Sequence, residues 1–271
     1  MFSHEPGRRV SAMPDALSDF VCSPFTHEGA THDVYRLGEG PCVIVIAEVP
    51  GITPAVADFA RAVTARNLSV AMPHLFGVPG GDPSKKAMGR VVRHVCISKE
   101  FTIFATGRES PVTSWLRALA TAEHARCSGP GVGVVGMCLT GGFGLAMLVE
   151  PSVIAPVLSQ PSLPVAQIPG LRGRADRIDV SAATMATIKQ RMEDDDDICV
   201  LGLRFTGDPL VPAERFAYLR RELGDRFVGV EIDSSPGNAG GYPANAHSVL
   251  TEQLVPEALA QVLDFLDRRL H

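Results

Sequence analysis

Short apolar runs alternate with longer amphipathic segments along most of the chain, an order that is typical of α/β proteins. The apolar runs predict strands at 42–49, 68–73, 131–137, 153–160, 198–206 and 227–233. The segments with helical spacing predict helices at 53–66, 110–127, 139–150, 183–194, 210–223 and 255–270. Residues 86–107 have mixed periodicity, and we expect them to be partly helical.

The predicted strand at 42–49 is apolar at nearly every position and rich in β-branched residues, as expected of a strand buried on both faces of a parallel sheet. The order of elements therefore predicts one doubly wound, mostly parallel sheet flanked by helices. No repeat or change of composition divides the chain. We expect residues 1–35 to form a partly irregular N-terminal extension and residues 36–271 to form a single α/β domain.

Composition excludes several function classes. Of the 271 residues, 45% are hydrophobic and 20% are charged, which indicates a folded globular protein. The formal charge of −5 argues against a general nucleic-acid-binding surface. No apolar stretch predicts a signal segment or a membrane span. The 6 cysteines lack CxxC pairs and zinc-ligand spacing, so we expect free thiols in the cytoplasm and no metal site. The acidic run 193–197 is interpreted as solvated surface.

A candidate nucleophile, Cys138, lies where the predicted strand 131–137 meets the following helix, in the sequence G-M-C-L-T-G-G. This pattern resembles the nucleophile elbow G-x-Nu-x-G, in which small neighbours let a strand and a helix approach a strained corner residue. The first N–H after the nucleophile then faces a developing oxyanion. Thr140 stands where the pattern has glycine, so either the helix lies farther out or the Thr140 hydroxyl has a partner.

Candidate partners follow Cys138 in the chain order nucleophile, acid, histidine. Asp208 lies in a turn directly after the predicted strand 198–206, where an orienting carboxylate belongs. Asp233 and Asp225 are alternative acids. His247 lies in a glycine-rich loop after the last predicted strand, and the other histidine beyond residue 124 is the C-terminal one.

Taken together, four segments resemble the dienelactone hydrolase family, α/β-hydrolases with a Cys-His-Asp triad, over about residues 40–270. The segments are V-I-V-I-A-E-V-P-G-I with Glu48, G-M-C-L-T-G-G with Cys138, F-T-G-D-P-L-V-P-A-E-R with Asp208 and Y-P-A-N-A-H-S with His247. The resemblance implies an α/β-hydrolase fold over residues 36–271. It also implies that Glu48 accepts the proton of the thiol when substrate binds, and that the backbone N–H groups of Leu139 and Val49 form the oxyanion hole.

Two departures from the family concern the substrate. Enzymes acting on dienelactone hold its carboxylate with two arginines, and Thr251 and Val78 occupy those positions here. The resemblance therefore implies shared chemistry without the same substrate specificity. The basic segment 84–99, which carries Arg90, Arg93 and Lys99, is a candidate for the rim of the pocket.

The sequence thus predicts a hydrolase of a small ester, lactone or thioester. Cys138 is the nucleophile, His247 transfers the proton and Asp208 orients the imidazole; no metal or organic cofactor is implied. His74, Phe76 and Tyr242 are candidates for contact with the substrate. The natural substrate and the oligomeric state are left open. A non-catalytic α/β-hydrolase scaffold that binds a small molecule or a partner protein, and a redox-responsive thiol protein, are the alternative functions.

Overall fold

Strands and helices alternate along the part of the chain that the computed structural model describes, residues 15–84, 89, 110–163 and 175–271. The strands are β1 (Val21–His27), β2 (Ala30–Leu37), β3 (Cys42–Ile46), β4 (Ser69–Pro73), β5 (Val132–Met137), β6 (Val153–Ser159), β7 (Val200–Phe205) and β8 (Phe227–Ile232). The α-helices are α1 (Pro54–Thr64), α2 (Pro111–Arg126), α3 (Gly141–Ala146), α4 (Ala182–Asp194), α5 (Ala213–Leu223) and α6 (Pro256–Leu270).

All eight strands belong to one sheet, in the order β1-β2-β4-β3-β5-β6-β7-β8. The hairpin β1–β2 is antiparallel and pairs with β4 in antiparallel register. From β4 to β8 every neighbouring pair is parallel. The predicted mostly parallel sheet is therefore confirmed.

The sheet is covered on both faces, which explains why β3 is continuously apolar. Its five residues are all buried and alternate between two hydrophobic cores. Val43 and Val45 pack in the core that includes residues of α1 and α6, whereas Ile44 and Ile46 pack in the core that includes residues of α2, α4 and α5. A strand with both faces in contact with helices has no solvent side, so no polar alternation is expected.

Local sequence signals determine where α1 begins. Thr53 is the N-cap, and its hydroxyl accepts a hydrogen bond from the Val56 N–H at 3.3 Å. Pro54 occupies the first turn, where a backbone N–H would have no acceptor within the helix, so its absence removes no hydrogen bond. The buried face of α1 then carries apolar residues at helical spacing: Val56, Ala57, Phe59, Ala60 and Val63.

The largest addition to the sequence prediction is the hairpin β1–β2, and the predicted boundary at residue 35 lies within β2. Each strand from β3 onward matches a predicted strand, with ends that differ by at most three residues. The predicted helix at 139–150 is shorter: 3₁₀ turns at Cys138–Thr140 and Met147–Val149 flank α3. The partly helical segment predicted at 86–107 lies outside the described residues except for residue 89.

None of the helices in the described ranges is both long enough and apolar enough to cross a membrane.

The parallel strands place the candidate residues at one edge of the sheet. Glu48 follows β3, Cys138 follows β5 and Asp208 follows β7, while His247 lies in the loop after β8. Because the carboxyl ends of parallel strands meet at the same edge, residues far apart in sequence converge there.

Candidate active site

Cys138 occupies a sharp corner between β5 and the turn that leads into α3. Its φ of 56° lies in the left-handed region, which non-glycine residues adopt rarely. Two glycines make this corner possible. A Cβ on Gly136 would lie 2.4 Å from the carbonyl oxygen of Thr140, and one on Gly141 would lie 2.6 Å from Cβ of Pro161. The corner therefore has the steric properties of a nucleophile elbow.

Thr140 replaces the second glycine of that pattern, and its buried hydroxyl has partners. The Thr140 Oγ1 accepts a hydrogen bond from the Met137 N–H at 2.8 Å and donates to the Ile46 carbonyl oxygen at 2.8 Å. The side chain thus ties the corner to the end of the neighbouring strand β3. Of the two arrangements considered from the sequence, the structure has the partnered hydroxyl.

Asp208 orients His247 through a short hydrogen bond. The Nδ1 atom of His247 lies 2.6 Å from Oδ2 of Asp208. The other carboxylate oxygen of Asp208 accepts the Leu210 N–H at 2.9 Å, and the residue is 3% exposed. The alternative acids Asp225 and Asp233 are exposed. Asp208 is therefore the acid that the structure brings to His247.

His247 interacts with Cys138 as well as with Asp208. Burial lowers the pKa of His247, but hydrogen bonding to Asp208 and the contact with the Cys138 sulfur raise this pKa to about 11. Within the described ranges, Nε2 is buried and has no hydrogen-bond acceptor of good geometry. The protonated imidazole is thus favoured beside the sulfur.

The sulfur of Cys138 has a further neighbour that the sequence analysis did not single out. Oγ of Ser162 lies 3.1 Å from Sγ of Cys138, and the Ser162 N–H donates to the Cys138 carbonyl oxygen at 2.9 Å. Ser162 follows β6, the strand next to β5. A serine three residues beyond a buried strand has no distinctive sequence signal, so the sheet order was needed to find it.

Glu48 is buried at the same carboxyl end of the strands, but its hydrogen bonds join it to residues outside the candidate triad. Oε2 accepts from Gln160 Nε2 at 3.1 Å and from Ser248 Oγ at 2.7 Å, while Oε1 accepts from the hydroxyl of Thr251. Burial raises the pKa of Glu48, and the three hydrogen bonds oppose that effect. In the described part of the chain, Glu48 and Cys138 are not joined by a hydrogen bond. The carboxylate is therefore held by three donors, one in the residue that follows β6 and two in the segment around His247.

The two candidate oxyanion-hole residues lie at the ends of neighbouring strands. Val49 follows Glu48 after β3, and Leu139 follows Cys138 in the 3₁₀ turn after β5. Ile46 pairs with Gly136 in the register of these strands, so the two segments leave the sheet side by side. The Leu139 N–H belongs to the first turn of a helix, where backbone N–H groups lack intrahelical acceptors.

Comparison with solved structures relates this architecture to known proteins. An esterase from Pyrococcus furiosus is similar with a TM-score of 0.59 and 14% identity, covering 98% of this chain and 97% of that one. A dienelactone hydrolase from Anabaena variabilis has a TM-score of 0.53 and 14% identity, with 92% and 95% coverage. A dienelactone hydrolase-like promiscuous phosphotriesterase from metagenomic libraries has a TM-score of 0.58 and 15% identity, with 93% and 98% coverage. The chain has the dienelactone hydrolase fold. No protein-family model and no curated protein sequence matches it.

At the two positions where arginines were expected, this chain has Thr251 and Val78. Thr251, four residues after His247, donates its hydroxyl to Glu48. Val78, at the position of the other arginine, is 65% exposed. Arg90, Arg93, Lys99 and most of the segment 84–99 lie outside the described residues. The described residues thus place no arginine side chain at either of the two family positions.

The three residues expected to contact substrate have separate surroundings. His74 is partly exposed, and its Nε2 lies 3.3 Å from the carbonyl oxygen of Gly77. Phe76 is 7% exposed and lies beside Gly51 and Ile52 of the loop after β3. The ring of Tyr242 lies 5.1 Å from that of Phe205, centroid to centroid. Their contact with a substrate stays a prediction.

Arg215 is a charged residue near the site that the sequence analysis missed. It is 1% exposed, and its guanidinium donates to the carbonyl oxygens of Pro161 and Leu210 at 3.0 and 2.7 Å. Burial lowers the pKa of Arg215 to about 10, while the nearby Asp208 and Cys138 act in the opposite direction. Arginine in an amphipathic helix normally predicts surface, so its burial beside the loops of Asp208 and Ser162 was not foreseeable.

Proposed function

We propose that this protein is a hydrolase of small esters, lactones or thioesters, with Cys138 as nucleophile, His247 as proton carrier and Asp208 as the residue that orients the imidazole. The observation that carries the proposal is the 2.6 Å contact between Asp208 and His247 at the corner where Cys138 lies. A nucleophile, a base and an orienting carboxylate in contact are the elements of covalent acyl transfer. The names of the structural neighbours, esterase and dienelactone hydrolase, agree with this chemistry.

Acylation starts from the pair in which the proton of Cys138 already lies on Nε2 of His247. The sulfur attacks the carbonyl carbon of the substrate, and the carbonyl π electrons move to oxygen. The N–H groups of Leu139 and Val49 donate hydrogen bonds to this oxyanion. As the tetrahedral intermediate collapses, the carbon–oxygen or carbon–sulfur bond to the leaving group breaks, and His247 returns its proton to the departing atom.

Deacylation uses the same histidine in the reverse role. Once Cys138 is acylated, the contact with its free sulfur no longer raises the pKa of His247, so the imidazole becomes a usable base. His247 takes a proton from water, and the resulting hydroxide attacks the thioester carbonyl. The carbon–sulfur bond then breaks, the acid leaves, and the free sulfur of Cys138 again lies beside the protonated His247.

We further propose that the acyl group is uncharged. In the dienelactone hydrolase family two arginines hold the substrate carboxylate, and here Thr251 is engaged with Glu48 at one of these positions. Without those guanidinium groups, a carboxylate in the pocket would lose its bidentate partners. Neutral esters and lactones are therefore the expected substrates.

The test is hydrolysis of p-nitrophenyl acetate by the wild type and by Cys138→Ala, with intact mass measured during turnover. We expect release of nitrophenol and an acetyl adduct on the wild type, and neither with the variant. Cys199→Ala is the matched control, because Cys199 is a partly buried thiol beyond the candidate site and its substitution leaves the proposed machinery intact. Turnover at the wild-type rate by Cys138→Ala would refute the assignment, and ligand binding without any adduct would favour a non-catalytic scaffold.

A further inference from the structure

A second thiol site lies at the amino ends of the parallel strands, opposite the end that carries the candidate active site. There β3 begins and α2 ends. Cys42 is the first residue of β3, and Cys127 is the residue after the last turn of α2. The sulfur atoms of Cys42 and Cys127 and a carboxylate oxygen of Glu123 all lie within 4.8 Å of one another. Glu48 follows Cys42 by six residues, roughly 20 Å along an extended strand, so this cluster is separate from the candidate active site.

The two thiols have different access to solvent. Cys42 is completely buried, whereas Cys127 is partly exposed. Oγ of Ser69, the residue paired with Cys42 across β3 and β4, lies 3.4 Å from the sulfur of Cys127. A small reagent in solution therefore meets Cys127 first, with Cys42 directly behind it.

The surroundings also give the two thiols different acidities. Hydrogen bonding from Cys42 lowers the pKa of Cys127 to about 6, with further lowering by Ser69 and Arg126 and an opposing effect of burial. The same hydrogen bond, together with burial, raises the pKa of Cys42. At neutral pH the accessible sulfur is thus the thiolate, which is the reactive form, and the buried one carries the proton.

Glu123 is fully engaged with two arginines, which argues against a metal ion in this cluster. Its Oε1 accepts from Arg36 at 2.7 Å, and its Oε2 accepts from Arg126 at 2.7 Å. A cation bound to Glu123 would displace one guanidinium and remain close to the other. Arg126 favours an anion at the Cys127 sulfur, against an opposing effect of Glu123.

We propose that Cys42 and Cys127 form an oxidisable dithiol that reacts with hydroperoxides and closes to a disulfide. A thiolate that is open to solvent and backed by a second thiol has the arrangement needed for this two-step reaction.

In the first step, the Cys127 thiolate attacks the terminal oxygen of the hydroperoxide. A sulfur–oxygen bond forms, the oxygen–oxygen bond breaks, and the leaving alkoxide or hydroxide takes a proton from solvent. In the second step, the Cys42 sulfur attacks the sulfenic sulfur of Cys127. The sulfur–sulfur bond forms and hydroxide leaves as water with the proton of Cys42. Two thiols lose two electrons in total, and the hydroperoxide gains them.

The test is peptide mapping without reductant after treatment with hydrogen peroxide, carried out in the wild type and in Cys138→Ala. The second protein lacks the thiol of the proposed active site, so the result does not depend on the proposed function. We expect a disulfide that joins the Cys42 and Cys127 peptides in both proteins, and its loss on addition of dithiothreitol. Absence of this linkage in both proteins overturns the proposal.

Variants separate the two roles. Cys42→Ala leaves Cys127 without its partner, so we expect a sulfenic acid at Cys127 that dimedone traps. Cys127→Ser gives neither the disulfide nor the adduct, and it changes a partly exposed residue, so it remains informative even if Cys42→Ala fails to fold. Cys199→Ser is the matched control and retains the disulfide.

We expect Cys127 to react with iodoacetamide at neutral pH at least about tenfold faster than Cys199, whose pKa is raised by burial. Equal rates, or zinc retained in equal molar amount by Cys42 and Cys127 with no oxidation, would overturn the proposal.

Discussion

The Oδ2 atom of Asp208 lies 2.6 Å from Nδ1 of His247, although the two residues are 39 positions apart in the chain. Asp208 is positioned by the turn after β7, and His247 by the loop after β8. Because β7 and β8 are parallel neighbours, the segments that follow their carboxyl ends lie close together, and so do the two side chains. The contact fixes the imidazole so that Nε2 faces away from Asp208.

Asp208→Asn tests that orientation. The amide can present either a donor or an acceptor to Nδ1, so the imidazole loses its preferred tautomer. We expect kcat/KM for p-nitrophenyl acetate to fall by roughly 10³–10⁴ while the fold is retained. Asp233→Asn is the matched control, because Asp233 is exposed and follows the next strand. An equal effect of both substitutions would contradict the assignment of Asp208.

The pH dependence of stability follows from His247. Its pKa is raised from 6.5 to about 11 in the folded protein, after the opposing effect of burial is overcome by Asp208 and Cys138. The folded state therefore retains a proton that the unfolded chain releases, and this stabilisation is complete below the unfolded pKa and is lost as pH rises toward the folded one.

We expect the free energy of unfolding in urea to fall between about pH 7 and pH 10 more steeply for the wild type than for His247→Gln. The difference between the two proteins removes the contribution of other groups that titrate in this range. Cys138→Ser should give an intermediate slope, because it removes one of the groups that raise the pKa of His247. Equal slopes for all three proteins would show that His247 is not protonated in the folded state.

Thr140→Val tests the connection between the elbow and β3. Valine has a similar shape but leaves the Ile46 carbonyl and the Met137 N–H without the hydroxyl partner that they have now. We expect the free energy of unfolding to fall by about 1–3 kcal/mol. Thr140→Ser, which keeps the hydroxyl, should lose less. If both variants lost the same amount, packing of the methyl group would be the cause instead.

Thr251→Val tests the hydrogen bonds that hold Glu48. Burial raises the pKa of Glu48 above 4.5, and the Thr251 hydroxyl opposes that increase. Removing the hydroxyl raises this pKa further, so the charged form becomes more costly in the folded state. A carboxyl group with a raised folded pKa lowers stability as pH rises above its unfolded value.

We therefore expect the variant to lose more unfolding free energy at about pH 7 than at about pH 4. Thr251→Ser is the matched control and should follow the wild type at both pH values. The measurement is urea denaturation in parallel at the two pH values. A loss that is independent of pH would assign to Thr251 a packing role alone.

The central strands and the chain order of the candidate triad were predictable, because each rests on a local signal. β3 is continuously apolar, and Cys138 lies at the end of a strand with Gly136 two residues before it and Gly141 three residues after it. The hairpin β1–β2 was missed because it lies at the edge of the sheet, where β1 has a mixture of exposed and partly buried positions and contains Pro24. Such a segment lacks the clear alternation that identifies a half-buried strand.

The hydrogen-bond partners of Glu48 and Cys138 could not be predicted from the sequence, for a different reason. Ser162, Gln160 and Ser248 are common polar residues in loops, and their importance arises from the sheet order that brings β6 beside β5. Arg215 shows the same limit, because a helical arginine carries no mark of burial in its own sequence. Tertiary contacts decide the role of such residues, and local pattern does not.

The hydroxyl of Thr140 has a consequence for how this protein responds to denaturant. The corner that holds Cys138 is fastened to Ile46 as well as to its own strand, so it does not open independently of the pairing between β3 and β5. The elbow and the central sheet therefore behave as one cooperative unit. We therefore expect the proposed activity at Cys138 to be lost together with the global unfolding transition and not before it.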